Sequence, residues 1–229
     1  MTTTAIVSYD DTLNDHDALS LGRVLAEAGT SLTLAYVRHT IQIQRDREQL
    51  EEHEAGALLE RGARWLGDLD VDRRVVVSAS TGEGLRALAA QEEADIVVFG
   101  SDYRTAAGHV APQSSTQKLL EGGPAAVAIA PANYRADREP RIARIGLLAD
   151  AADAAAIETA HSLADQLDAT VITDTRQVDL LVVGSRAEAP TGRVMVSSRS
   201  QNAIEDATSP VLVVARGVPL HFSPALAIY

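Results

Sequence analysis

The sequence predicts an α/β protein: strands alternate with helices, the sheet is mostly parallel, and two such units stand in tandem, the second reduced. Three observations carry this. Short β-branched apolar runs alternate with segments whose apolar residues recur at helical spacing, the pattern of right-handed strand–helix–strand crossovers. The stretch from Ala94 to Leu120 holds an apolar run ending in Gly100-Ser101, a polar loop with Gly108, and then Ser114-Ser115-Thr116. It returns near the C-terminus as Val178 to Gly184-Ser185, Gly192 and Ser197-Ser198. Aromatic residues are only 3% of the chain while 46% is apolar, so the core has to be built from Val, Leu, Ile and Ala.

The first unit opens with a buried strand, Ala5–Tyr9, ending at Asp10-Asp11. A helix follows over about Asp15–Ala28, with Ala18, Leu19, Gly22, Leu25 and Ala26 on one face. Asn14 or Asp15 is placed to cap it, and Gly29 stands where a C-terminal cap belongs. Ser31–Val37 is the second strand. A long charged helix spans about Gln42–Leu66, with Leu50, Leu58, Leu59 and Trp65 as its apolar contacts and Gly67-Asp68 at its end. The third strand is Arg74–Ser78, the next helix Thr81–Gln91, and the fourth strand Asp95–Phe99. Ser115–Leu120 forms the last helix of this unit, Gly122-Gly123-Pro124 stops it, and Ala126–Ala130 is the fifth strand. Pro131 to Pro140 is a polar connector.

The second unit starts over with strand Arg144–Ala149, which ends at Asp150, and helix Ala155–Leu167. Strands Ala169–Thr173 and Asp179–Val183, helix Ser197–Ala207 and strand Pro210–Val214 complete it. Gly100 and Gly184, Ser114 and Ser198, and Val127 and Val211 are each 84 residues apart, whereas Leu25 and Leu163 are 138 apart. The second copy is therefore 54 residues shorter, which matches the long charged helix, the third strand and the helix after it. So short a unit buries little surface by itself and has to lean on the first. The boundaries expected are 1–133 for the complete unit, 134–140 for the connector, 141–217 for the truncated unit and 218–229 for a tail. The tail's Leu220, Phe222, Leu226, Ile228 and Tyr229 favour docking over hanging free.

Composition excludes several classes of function. A net charge of −12 is ill suited to nucleic-acid backbones or anionic membranes. Without cysteine there are no disulfides and no thiolate metal sites. No apolar run approaches the roughly 20 residues that span a bilayer, and the first residues lack the basic and apolar regions of a signal peptide, so a cytoplasmic location is expected. The six histidines have no metal-ligand spacing, and neither a Gly-x-Ser-x-Gly elbow nor a Gly-x4-Gly-Lys-Ser/Thr loop occurs.

Strand, small-residue loop and hydroxyl-bearing helix start form the local plan by which α/β folds cradle an anion. On these residues the chain resembles the tandem universal stress proteins (UspA-like). The first strand ends in Tyr9-Asp10-Asp11-Thr12, matched by Ala149-Asp150-Ala151-Ala152, and the stretches Ala94 to Ala130 and Val178 to Gly217 resemble that family's loop after strand four. The resemblance implies two Rossmann-like (adenine nucleotide alpha hydrolase-like) units. It also implies ATP, with Mg²⁺, or another adenine nucleotide in the first unit. The residues it puts there are Asp10 near the adenosine, Val37 against the adenine, and Gly100, Gly108, Ser114 and Ser115 around the phosphates. That family's loop runs Gly-x2-Gly-x9-Gly-Ser/Thr. Here Tyr103 and Gln113 stand at the second and third glycine positions, and the second copy has Ala187 and Ser197. The family's pairing through strand five implies an intrachain pseudo-dimer joined through Val127–Ile129 and Val211–Val213, and leaves a homodimer of whole chains open. No catalytic base can be named, though weak ATP hydrolysis stays open. The alternative is a member that binds no nucleotide and works through protein contacts or another small ligand.

Overall fold

The computed structural model describes residues 2–39, 45–67, 69–149 and 153–223. One nine-stranded sheet runs through it in the order β3-β2-β1-β4-β6-β11-β9-β7-β8. Strands β1 (Thr4–Ser8), β2 (Ser31–His39), β3 (Val71–Ser78), β4 (Ile96–Gly100) and β6 (Ala126–Ala130) form a parallel set. Strands β7 (Arg144–Leu148), β8 (Thr170–Ile172), β9 (Leu180–Gly184) and β11 (Val211–Val214) form a second parallel set. The sets meet antiparallel at one seam, where Val211, Leu212 and Val213 face Ile129, Ala128 and Val127. A short ribbon unforeseen from sequence pairs β5 (Glu121–Gly123) with β10 (Val194–Met195) and ties the halves a second time.

Helices cover both faces. On one, α1 (Leu13–Glu27), α2 (Arg45–Leu66) and α5 (Ala154–Leu167) bury Leu19, Leu25, Leu59 and Leu163 against Val7, Leu34, Val98 and Val182. On the other, α3 (Thr81–Gln91), α4 (Ser114–Leu120) and α6 (Ser198–Glu205) bury Leu85, Leu119 and Ile204 against Val97, Val127 and Val213. The strands at the centre are buried on both faces, which is why they read as continuous Val/Ile/Leu runs without alternation.

Helix α1 begins two residues before its expected start. Thr12, and not Asn14 or Asp15, is the N-cap, and Asp15 closes the box from the third helical position. Gly29 takes φ +88° beyond the helix end, a backbone state open to glycine. The expected start of α2 at Gln42, the side chain of Leu50, Asp68 and Asp150 lie outside the described residues. The connector packs as a 3-10 turn, Tyr134–Ala136, held by the fully buried Asp17. Its carboxylate accepts from the amides of Asn133 and Arg135 and from Arg135 Nη1, all at 2.9 Å. The described part of the tail docks on the body: the amides of Leu220 and Phe222 donate to Thr159 Oγ1 and Ser162 Oγ, and both side chains are buried. Among the described residues no helix is long and apolar enough to cross a membrane.

Candidate functional site

Sheet order reverses at β1, which lies between β2 and β4, so the connections leave toward opposite faces. A crevice opens at such a point, at the carboxyl ends of the strands. Here it is a cavity of about 440 Å³, within the range of small-molecule sites. Strand β1 supplies Ser8 and, just past its end, Asp10; β2 supplies His39; β4 supplies Phe99 and Gly100. The starts of three helices complete it, with Thr12, Asn14 and Asp15 of α1, Ser80, Thr81 and Gly82 of α3, and Ser114, Ser115 and Lys118 of α4. Tyr103 and Gln113 come from the loop after β4.

Acidic side chains set the electrostatics of the α1 end. Asp15 Oδ2 accepts from the amides of Asp10 and Thr12 at 3.0 Å each and from the Thr12 hydroxyl at 2.7 Å. Burial pushes the Asp15 carboxyl above the ordinary carboxylate range, against the pull of those hydrogen bonds. Asp10 is raised as well, first by burial and then by the neighbouring Asp15 charge, with His39 opposing. At the α3 start, Ser80 caps the amide of Glu83, and His39 Nε2 lies 3.0 Å from Thr81 Oγ1. Lys118 forms a 3.0 Å ion pair with the exposed Glu83, which holds that carboxyl below its usual range. At the α4 start Gln113 is the N-cap but makes no cap bond. Its side-chain amide turns back and donates to the carbonyls of Gly100 and Ser101 at 3.3 and 3.2 Å.

Of the residues singled out from sequence, Asp10, Gly100, Ser114 and Ser115 line this cavity together. Val37 and Gly108 are not among its lining residues. Val37 is a core side chain between β2 and α3, against which any Cβ on Gly84 would stand 2.9 Å from Val37 Cγ1. Gly108 sits in the outer turn of the loop at φ +82°, where its amide donates to Ala132 O at 2.7 Å. Gly100 has a packing role, since a Cβ there would lie 2.0 Å from the Asn14 carbonyl oxygen. Sequence reasoning missed His39, Thr81 and Lys118. Asp15 was legible only as a cap, because its capping role and its place in the cavity come from the same Thr-x-x-Asp spacing.

The second half carries a smaller cavity, about 290 Å³, at the corresponding strand ends. It is lined by Leu148 and Ala149 after β7, Gly184 through Glu188 after β9, and Ser197, Arg199 and Ser200 at the α6 start. Its loop repeats the first one bond for bond. Ser101 Oγ donates to Ala130 O at 2.7 Å and takes the Ala111 amide; Ser185 Oγ donates to Val214 O at 2.7 Å and takes the Met195 amide. Gly108 and Gly192, both at positive φ, donate to Ala132 and Arg216. Among the described residues the linings differ in charge: the carboxylates of Asp10 and Asp15 with Lys118 in the first, the guanidinium groups of Arg186 and Arg199 with Glu188 in the second. Among the described residues no group of three His, Asp or Glu converges as a metal cluster.

No family model and no curated protein matches this chain. Among solved structures, the chain is similar to a universal stress protein from Archaeoglobus fulgidus, with a TM-score of 0.70 and 14% identity over 95% of this chain and 100% of that one. It is also similar to a functionally unknown protein from Pseudomonas aeruginosa, with a TM-score of 0.61 and 14% identity over 94% of this chain and 93% of that one. The likeness at this identity is one of fold, and it spans both halves and the seam.

Proposed function

We propose that this chain is a universal stress protein-like stress-response protein that binds an adenine-bearing ligand in the cavity of its first half. The observation that carries the reading is the coincidence of two things: a fold shared with a universal stress protein over 95% of the chain, and a cavity of about 440 Å³ at the point where sheet order reverses. Asp10, Ser114 and Ser115 are the sequence candidates that face this space, and His39, Thr81 and Tyr103 join them. The chain divides for this purpose at 1–133, 134–140, 141–217 and 218–229, with the first unit holding the ligand and the second completing the sheet across the seam. The reading is of a binding protein, with the His39–Thr81 contact of 3.0 Å as a polar pair on the cavity wall. Titration calorimetry with adenosine, AMP and ATP tests it: saturable heat with at least one of them, lost in Asp10→Arg, is expected. No heat from any of them at millimolar concentration would remove the reading and leave protein contact or another small ligand in its place.

A further inference from the structure

We propose that the outer edge of β3 is an interaction surface whose occupant is a second copy of this chain, paired strand to strand about a twofold axis. Strand β3 ends the sheet order, and among the described residues no strand lies on its outer side. It is eight residues long and in unbroken register with β2. An open edge of this length presents a row of unpaired amides and carbonyls, which proteins commonly blunt with charged side chains. Here the two arginines that could do so are drawn aside. Arg73 Nη2 pairs with Glu60 of α2 at 3.1 Å, and Arg74 Nε with Glu92 after α3 at 2.5 Å. The half of the strand that follows, Val75-Val76-Val77-Ser78, carries no charge. Val75 is 39% exposed and Val77 48%, both on the face that α2 covers, whereas Val76 packs on the α3 side. The opposite edge of the sheet, β8, has only three residues, so it offers β3 no strand of matching length. A closed pair through β3 follows, in place of a filament joining β3 to β8.

The edge is complementary to itself. In an antiparallel pair, residues directly opposite each other share a face. A twofold axis normal to the sheet therefore sets odd-numbered residues against odd and even against even. Centred on Arg73 or Arg74, the pair drives that guanidinium against its own copy, which is unfavourable. Centred on Val75, it sets Arg73 against Val77, and centred on Val77 it runs off the end of the strand. Centred on Val76, it sets Val75 against Val77 twice and Val76 against itself, with Arg74 facing Ser78. That register matches valine to valine on both faces, and β-branched residues suit such cross-strand pairs. The same axis lays the two α2 helices side by side. Glu60, Gly56 and His53 lie along the flank of α2 that reaches Arg73, beside an open groove over Gly56 and Ala57. A Cβ on Gly56 would meet no atom within 4 Å, so this flank leaves room for the second helix.

The test is sedimentation equilibrium of the full chain between roughly 1 µM and 1 mM, the span of weak to moderate association. The mass is expected to rise from one chain to two and no further. Val75→Lys and Val77→Lys, both at exposed positions, are each expected to weaken the pair by about tenfold or more while the melting temperature holds. Cross-linking reads the register. The chain has no cysteine, so one introduced thiol can bridge only between copies. Val76→Cys is expected to give a disulfide-linked dimer under mild oxidation. Val75→Cys alone is expected to give far less, and to cross-link when mixed with Val77→Cys chains. A single chain at every concentration, a mass that grows past two, or a dimer indifferent to both lysines overturns the proposal. So does a Val76→Cys chain that folds and does not cross-link. The adenine reading stands or falls separately, since the β3 edge shares no residue with the cavity.

Discussion

The two halves keep the same loop and, among the described residues, line it with a different balance of charge. The hydroxyl of Ser101 and that of Ser185 make matching bonds, as do Gly108 and Gly192, and the corresponding residues are 84 apart in every case. Yet one cavity presents Asp10 and Asp15 with Lys118 and the other Arg186 and Arg199 with Glu188. Backbone frame and cavity chemistry thus rest on different residues. A few buried hydroxyls and positive-φ glycines fix the frame, while residues at its rim are free to change charge. The halves also differ at their outer edges. In the first, β2 is followed by β3, with α2 and α3 covering the sheet beside it. In the second, the sheet ends at β8 and the loop after it folds back, so that any Cβ on Gly146 would lie 2.9 Å from Val178 Cγ1 and 3.2 Å from the Asp174 carbonyl oxygen. A seven-residue loop, 173–179, stands in for a helix, a strand and another helix.

The contrast can be strained first at the connector, whose 3-10 turn has no equivalent after β11 among the described residues. Asp17→Ala strands the Arg135 guanidinium and two amides that now share one fully buried carboxylate. It should cost about 3–5 kcal/mol by urea unfolding, the usual loss when one partner of a buried pair is removed. An effect below about 1 kcal/mol, the level of an exposed pair, would show that the connector is not held this way.

Next comes the glycine pair. A methyl group at Gly100 meets the Asn14 backbone carbonyl at 2.0 Å, whereas one at Gly184 meets the Asp153 carboxylate oxygen at 2.2 Å. Backbone yields less than a side chain, so Gly100→Ala should destabilise by about 3 kcal/mol and Gly184→Ala by about 1. Equal losses would mean that the two loop starts are equally rigid. Ser101→Ala and Ser185→Ala should then cost about the same, 1–2 kcal/mol each, because each removes a buried hydroxyl between a strand carbonyl and a loop amide. Unequal values from the same unfolding measurement would break the bond-for-bond equivalence.

The smallest effect concerns charge. Asp10 has a carboxyl raised by burial and by Asp15, so its ionised form opposes folding. Asp10→Asn should therefore melt slightly higher than the parent at neutral pH. The advantage belongs to pH values above the folded-state carboxyl and fades as pH falls to about 3.9, the unfolded value, where the parent's Asp10 is protonated in both states. Paired melting curves from pH 3.5 to 7 read this directly, and an advantage that persists at the acid end would assign it to something other than Asp10 ionisation.

Much of the fold could be read from residues. Ala126–Ala130 and Thr81–Gln91 match their expected bounds, because Gly122-Gly123-Pro124 and the Ser80 cap punctuate them locally. The seam strands were legible from their repeat. The β5–β10 ribbon was not: Glu121–Gly123 carries no strand pattern, and it pairs only because the seam brings Val194 beside it. The cavity was legible in part. Asp10, Gly100, Ser114 and Ser115 follow from strand ends and helix starts, which are local features. His39 lies two residues past the expected end of β2, and Lys118 sits a turn into α4, so their meeting depends on tertiary placement. Val37 has a strand-end sequence but faces α3, a side that period-two alternation does not assign when both faces are buried.

The antiparallel seam between Val127–Ile129 and Val211–Val213 has a consequence for how this molecule can change. When two identical chains pair through an edge strand, every substitution appears on both sides of the twofold axis, and a residue that suits one site is imposed on the other. Here the partner is the same polypeptide. Each mutation is made once, association does not depend on concentration, and a rim residue can alter one cavity while its counterpart stays as it was.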